Sequence, residues 1–202
     1  MWAMNMNDLE PGINNYLNLV GDTINRIGRE NIAKFVRLML DTYGAGGTIF
    51  VCGNGGSGAT AAHFCGDFLK GVSCGLDKRF KVICLADNIP TLMAVANDIS
   101  YEDIFVEPLK NFIKKGDLVI GISGSGNSRN VIKAIEYANS CEAKTVALCG
   151  FSGGKLKEIS SLSIHAEIND MEVSEDVHLI VLHCVKRVVG DILKPRAMQP
   201  AK

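Results

Sequence analysis

The sequence predicts an α/β protein, a three-layer α/β/α sandwich built around a five-stranded parallel sheet. Two observations predict this fold. Short apolar runs rich in β-branched residues, of the kind that a parallel sheet buries on both faces, occur at residues 48–52, 80–86, 118–122, 144–149 and 162–168. Segments with helical spacing of apolar residues separate these runs, and strands that alternate with helices form a parallel sheet covered on both faces.

A helical preface precedes the first predicted strand. Apolar residues recur at three- and four-residue spacing through residues 7–43, with a break near Gly28. Such a preface packs on the sheet or on a partner subunit. The 202 residues suffice for one well-cored domain, and no repeat or linker marks a second. We expect a single domain over 1–202, with the preface at 7–44, the α/β core at 45–194 and a polar tail at 195–202.

Composition excludes several classes of function. The net charge is -1 with acids and bases interspersed, which leaves no electrostatic footprint for nucleic acid or an anionic membrane. The apolar runs are too short to span a bilayer, and the N-terminus lacks the pattern of a signal peptide. The seven cysteines form no C-x-x-C pair, so we expect reduced thiols. The sequence predicts a soluble, cytoplasmic protein.

The turn after the first predicted strand has the composition of an anion-binding site. Residues 53–58, GNGGSG, cannot continue a strand, and we expect a helix to begin near Ser57, a good N-cap. Small side chains over 55–62 let a ligand approach the backbone, and the free N–H groups of a helix start attract phosphate.

One turn deeper in the same helix, His63 and Asp67 lie at i and i+4 on one face. Two ligands of one metal ion, or an acid–base pair, have this spacing, and so does an ordinary solvated pair. A phosphate anchor and two reactive groups therefore share one helix.

The same turn also matches the G-x-G-x-x-G pattern of a dinucleotide site through Gly53, Gly55 and Gly58. That pattern requires an acidic residue about 20 positions later, at the end of the second strand. Asp77 precedes the predicted strand and Asp87 comes late. A dinucleotide-binding helix also has no reason to carry a histidine and a carboxylate, so we disfavour this alternative.

A second polar turn follows the third predicted strand. Ser123, Ser125, Asn127 and Ser128 offer hydroxyl and amide groups without a lysine, which suits a phosphate monoester held by neutral donors. A turn that merely caps the next helix has a similar composition. Both turns follow strands of one parallel sheet, and ligands bind beyond the carboxyl ends of such strands.

The last predicted helix, at 171–193, carries further candidates. Spacing alone favours Glu175 with His178, at i and i+3, as partners facing a site. His183 lies eight residues after Glu175, about 12 Å along a helix axis. The helix therefore does not identify its own ligand, and His165, in a strand-like run, is expected to be structural.

These segments resemble the SIS-domain (sugar isomerase) family, specifically its phosphoheptose isomerase branch, over about 31–189. The resemblance is carried by GNGGS, the HF that begins the His63 pair, NIPTLMAVANDISYEDIF, GDLVIGISGSGNSRNVIKAIEYA and SEDVHLIVLH. It implies a flavodoxin-like sheet and an aldose–ketose isomerase that converts D-sedoheptulose 7-phosphate to D-glycero-D-manno-heptose 7-phosphate, for nucleotide-activated heptoses. Members are homotetramers, often with zinc, and their sites lie between subunits.

The resemblance also assigns site residues. The metal positions are His63, Asp67, Glu175 and His183, and the catalytic positions are Asp67, His183 and Glu175. The substrate positions are Asn54, Gly55, Gly56, Ser57, Asp67, Asn97, Asp98, Ser123, Gly124, Ser125, Ser128 and Glu175.

This chain departs from the family pattern at two positions, since Asp67 replaces a usual Glu and Glu175 a usual Gln. The base that moves the proton between C1 and C2 is therefore Asp67 or Glu175, and His183 is expected to act as the acid at the oxygen. Two alternatives stay open: an isomerase of another sugar phosphate, and a non-catalytic SIS protein that binds a replication initiator.

Overall fold

The structure is a computed structural model that describes residues 6–194; the predicted polar tail at 195–202 lies outside the described residues. The strands are β1 (Thr48–Gly53), β2 (Lys81–Cys84), β3 (Leu118–Ser123), β4 (Lys144–Cys149) and β5 (Leu162–His165). All neighbours pair in parallel in the order β2-β1-β3-β4-β5. The predicted five-stranded parallel sheet is confirmed.

The two edge strands are shorter than predicted. β2 ends at Cys84 and β5 at His165, whereas the apolar runs continue to Ala86 and Ile168. An edge strand has a ladder partner on one side only, so its ends are held less firmly than those of β1, β3 and β4. Apolar composition alone therefore overestimates its length.

Helices cover both faces of the sheet. They are α1 (Met6–Arg26), α2 (Arg29–Ala45), α3 (Gly55–Gly66), α4 (Ile89–Asp98), α5 (Val106–Lys110), α6 (Arg129–Ser140), α7 (Gly154–Ile159) and α8 (Met171–Leu193). One buried cluster joins the sheet to α2, α3 and α8 through side chains such as Phe35, Phe64 and Val181. A second cluster, with Phe105 and Ile135, lies on the other face. No helix within residues 6–194 is long and apolar enough to cross a membrane.

The start of α3 corrects the prediction for Ser57. The helix begins at Gly55, and Asn54 is its N-cap, with extended backbone angles of φ -106° and ψ 155°. Ser57 lies inside the first turn with 4% of its surface exposed. Gly55 adopts a positive φ of 51°, a conformation that glycine allows without strain, and so the chain can enter the helix two residues earlier than expected.

The sequence also predicts one helix over about 101–113, and this prediction is wrong. A 3₁₀ turn, Tyr101–Asp103, is followed by the short α5. Pro108 lacks an N–H group and its ring would clash with the carbonyl four residues earlier, so it is tolerated only in the first turn of a helix. The helix therefore restarts at Val106, which puts Pro108 in its first turn.

The sheet order positions the two polar turns. The chain leaves β1 for β2 on one side, while β3 lies on the other side of β1, so the topological switch point falls between β1 and β3. The glycine-rich turn follows β1 and the serine-rich turn follows β3. Both turns therefore border the crevice where ligands of such sheets bind.

His178 of α8 is fully buried, with no hydrogen-bond partner for either ring nitrogen. Burial lowers its pKa from 6.5 to about 4, and the nearby His165 adds to the lowering. The expectation that His178 faces a site with Glu175 is therefore wrong. The helix turns this ring into the core, because the apolar residues on either side of it, Val177 and Val181 among them, are buried there.

We predict that His178 makes the protein less stable as the pH falls. Its pKa is lower in the folded chain, so the unfolded chain binds the proton more tightly, and stability is lost progressively from about pH 6.5 down to about pH 4. The contribution at the acid end is on the order of 3 kcal/mol. His178→Leu should flatten the dependence of the urea-unfolding free energy on pH over this range. An equally steep dependence in the variant would contradict the assignment, whatever its stability at neutral pH.

Candidate active site

Three ionisable side chains converge where α3 lies beside α8. His63 Nε2 and His183 Nε2 are 2.9 Å apart. Each of these nitrogens lies 3.6 Å from Oδ2 of Asp67. His63 and Asp67 come from the last turn of α3 and its end, and His183 comes from α8. The structure thus brings together three of the four residues expected to hold a metal ion.

The arrangement of these donor atoms fits a zinc ion. Zinc binds imidazole nitrogen and carboxylate oxygen at about 2.0–2.1 Å in tetrahedral geometry, so neighbouring donors lie roughly 3.3 Å apart. The observed separations of 2.9, 3.6 and 3.6 Å fall on either side of that value. Within residues 6–194, this is the one group of three acidic, histidine or cysteine side chains that could hold a metal.

Glu175 lies apart from this group. A Cβ atom added to Gly56 would overlap the Glu175 carboxylate, so this carboxylate rests against the first turn of α3. Catalytic zinc sites combine three protein ligands with an open position for water or substrate. The three converging side chains supply such a set without Glu175.

The glycines of the first turn serve packing between β1 and α3. A Cβ atom at Gly58 would lie 2.9 Å from the carbonyl oxygen of Gly53, and one at Gly53 would lie 2.7 Å from that of Ser57. These distances are too short for any larger residue. The match to a dinucleotide pattern is therefore explained by the close approach of strand and helix, with Ser57 packed inward.

The serine-rich turn is a compact hydroxyl cluster at the end of β3. Ser123 Oγ lies 2.8 Å from Ser128 Oγ and 3.5 Å from Ser125 Oγ. The backbone N–H of Asn127 donates to Ser125 Oγ at 3.2 Å. Gly124 lies against the side chain of Met171, the first residue of α8, which would have to move aside for any larger residue. The turn presents several neutral donors close together.

A pair of amides joins the two turns. The Asn54 side-chain amide donates to Asn130 Oδ1, and that of Asn130 donates to Asn54 Oδ1, both at 2.9 Å. Tyr101 donates its hydroxyl to Asn54 Oδ1 at 3.1 Å, and the backbone N–H of Val131 donates to Asn130 Oδ1 at 2.9 Å. Asn130 is 2% exposed. The side chain of Asn54 is thus fixed by protein partners across the switch point.

Asn130 and Tyr101 belong to this region although no sequence motif gave them a role. The sequence feature that could have identified Asn130 is its residue type, since asparagine disfavours helix interiors. Asn130 occupies the first turn of α6. Tyr101 had no local signal, because its partner Asn54 is 47 residues away. Asn130 is found only when β1 and β3 are placed side by side, and Tyr101 only when its turn is placed against the end of β1.

A cavity of about 500 Å³ opens beside the glycine-rich turn, between α3 and α4. Its walls include Met93, Phe105 and Leu92, with Asn54 and Asp87 as polar groups. It is large enough for a small phosphorylated ligand.

Asn97 and Asp98 do not line this cavity. They are exposed at the end of α4, where the Asn97 amide donates to Asp98 Oδ1 at 2.7 Å. His165 bonds to Lys157 Nζ at 3.1 Å and to the carbonyl oxygen of Phe151 at 2.9 Å, which gives it a structural environment.

Comparison with known proteins identifies the class. The sequence matches the SIS domain family over residues 15–150. A phosphoheptose isomerase of Helicobacter pylori is 37% identical over 163 residues, which is 79% of this chain and 84% of the relative. A probable phosphoheptose isomerase of Thermoplasma volcanium is 35% identical over 81% of this chain and 83% of the relative.

A solved structure agrees with these relatives. The phosphoheptose isomerase of Francisella tularensis superimposes with a TM-score of 0.85 at 25% identity, covering 93% of this chain and 100% of that one. The chain belongs to the SIS-domain family. Within that family it belongs to the phosphoheptose isomerase branch, and it is a sugar-phosphate isomerase.

We predict that Asn130→Asp weakens the junction between the two turns. Aspartate has the shape of asparagine but cannot donate to Asn54 Oδ1, so this half-buried acceptor keeps only the Tyr101 hydroxyl, and two oxygens face each other. The cost should be about 1–3 kcal/mol of unfolding free energy. Urea titration measures it, with Asn25→Asp, at an exposed position of α1, as the matched control. Equal losses in the two variants would contradict a special role for the amide pair of Asn54 and Asn130.

Proposed function

We propose that this protein converts D-sedoheptulose 7-phosphate to D-glycero-D-manno-heptose 7-phosphate, a step towards nucleotide-activated heptoses. The observation that carries the proposal is the convergence of His63, Asp67 and His183 in a chain whose relatives are named phosphoheptose isomerases. An aldose–ketose isomerase needs a base and an acid placed together, and these side chains supply both.

The phosphate end of the substrate is assigned to the serine-rich turn. Hydroxyls of Ser123, Ser125 and Ser128 cluster there, next to the first turn of α6. Backbone N–H groups at the start of a helix attract an anion. Neutral donors can bind a phosphate monoester without placing a charged side chain in the site. On this proposal the turn orients the substrate and takes no part in proton transfer.

The carbonyl end is assigned to the α3–α8 cluster. Isomerisation moves a proton between C1 and C2 through an enediol, and a carboxylate, Asp67 or Glu175, takes and returns it. His183 serves as the acid at the substrate oxygen when its Nε2 carries a proton; with zinc on this nitrogen, the ion would stabilise that oxygen instead. Nε2 of His183 lies 3.6 Å from Asp67 Oδ2, so the two groups can act on adjacent atoms of one substrate. His63 contacts both Asp67 and His183 and orients these two side chains.

We propose zinc as the cofactor, held by His63, Asp67 and His183. The donor types and their spacing support this assignment. Bound zinc would supply a Lewis acid that polarises the carbonyl. The free state of all seven cysteines fits a reducing compartment, and we propose the cytoplasm as the location.

Site-directed change at His183 tests the reaction. His183→Asn keeps a polar side chain but removes the acid and a donor to the proposed metal, so turnover of sedoheptulose 7-phosphate should fall by about 10²–10⁴-fold. His165→Asn, outside the site, is the matched control and should keep most activity. A coupled assay of the heptose product, with and without chelator, measures both. Absence of turnover by the wild type under any metal condition would overturn the substrate assignment, and a panel of pentose, hexose and heptose phosphates would then identify a different sugar.

We also propose a homotetramer with sites completed at subunit contacts. Leu9, Ile13 and Leu17 recur every four residues along α1 and are 40%, 56% and 61% exposed, which forms an uncovered apolar stripe. Ile89 and Met93 of α4 are also exposed, at 62% and 68%. Contiguous exposed apolar surface of this kind is typical of a contact between subunits, which supports the assembly.

Sedimentation equilibrium tests the assembly. The wild type should sediment at about four times the mass of 21.8 kDa. Ile13→Lys places a charge in the stripe and should shift the protein towards smaller species. Lys34→Glu, on the exposed face of α2, is the control. A monomeric wild type would contradict the proposal.

A further inference from the structure

Asp67 has a further neighbour, a lysine, to which no sequence motif gave a role. Lys186 of α8 places its Nζ 3.5 Å from Asp67 Oδ1. The two histidine nitrogens lie 3.6 Å from the other oxygen, Oδ2. The two oxygens of the carboxylate therefore have different partners: a lysine on one side and the imidazole pair on the other.

The position of Lys186 follows from the helix that carries His183. Residues at i and i+3 lie on neighbouring positions of one helix face, so His183 and Lys186 both point from α8 towards α3. The two side chains lie about one helical turn apart and contact the same carboxylate. α8 thus contacts both sides of Asp67.

Gly71 leaves the space through which Lys186 reaches Asp67. A Cβ atom at Gly71 would lie 3.3 Å from Lys186 Cε and 3.8 Å from Asp67 Oδ1, and the first of these distances is tighter than most packed contacts. Gly71 belongs to a π-helical turn, Asp67–Val72, that continues α3. Such turns are rare and occur frequently at functional sites.

This ion pair is less exposed than an ordinary surface pair. The side chains of Lys186 and Asp67 are 33% and 19% exposed, whereas those of Lys34 and Glu30 are 60% and 77% exposed. Partial burial reduces screening by water and salt, so the Lys186 contact holds its partner more firmly than a solvated pair does.

We propose that Lys186 is a positioning residue of the active site. The carboxylate of an aspartate rotates readily about χ2 when nothing holds it. Lys186 retains Oδ1, so that Oδ2 stays directed at His63 and His183. Partners that orient a ligating carboxylate are a general requirement of metal sites. The inference rests on the proposed function, because these three side chains are the ones assigned to zinc.

Zinc affinity provides a readout that is independent of turnover. The probe is zinc itself, titrated in competition with a chromophoric chelator, together with the visible spectrum of the cobalt-substituted protein. Lys186→Met should weaken zinc binding and lower kcat, each by about tenfold or more, and alter the cobalt spectrum. KM should change by less than about twofold, since the phosphate turn is untouched.

Two further variants sharpen the test. Lys186→Arg keeps a cationic donor of similar reach and should recover most of the zinc affinity. Lys34→Met removes a lysine from an exposed ion pair on α2 and should match the wild type in every readout.

Charge repulsion between Lys186 and zinc would change zinc affinity in the opposite direction. A lysine beside a metal ligand also repels the ion, so a Lys186→Met protein that binds zinc as tightly as the wild type, or more tightly, overturns the positioning role. A wild type that binds no zinc overturns the proposed cofactor and this inference with it. Turnover of the sugar phosphate by that same zinc-free protein would leave the isomerase assignment standing.

Discussion

Side-by-side packing of α3 and α8 is the constraint on which the site depends. Both helices start at the carboxyl edge of the sheet and run in the same direction, and they touch at three successive levels. Gly56 meets Glu175, His63 meets His183, and Asp67 meets Lys186. The members of each pair are about 120 residues apart in the sequence. This constant offset means that the two helices stay in register along their contact, so reactive groups on one helix meet fixed partners on the other.

The rotation of α8 about its own axis decides which of its side chains reach α3. Buried valines recur every fourth residue along this helix, at 173, 177, 181, 185 and 189. Burial of such a stripe is the main source of helix stability in a folded protein, and it fixes the face that turns to the core. His178 falls on that side and is buried, whereas His183 and Lys186 fall on the side towards α3. The hydrophobic core therefore selects the histidine that enters the site.

The sheet positions the remaining parts by a different principle. Parallel strands bring the turns after β1 and β3 to one edge, at the point where the strand order reverses. The reciprocal amide bonds between Asn54 and Asn130 then fix the distance between these turns. A largely buried polar pair that satisfies itself in this way is costly to disturb, and so it holds the phosphate-type turn and the start of α3 in one geometry.

The sequence by itself determined the fold class, the five strands, the two polar turns and the candidate pair His63 and Asp67, since these depend on local periodicity, turn composition and spacing. His183 came only from the resemblance to the SIS-domain family, because spacing alone favoured His178. The break in the segment 101–113 is a local effect of Pro108 that the apolar pattern did not show. The sequence did not determine that Ser57 would pack inward, or that Asn130, Tyr101 and Lys186 would join the region of the site. Those outcomes depend on contacts between segments far apart in the chain. Only the tertiary structure decided them, because the rotation of α8 and the pairing of β1 with β3 are set by the packing of the whole core.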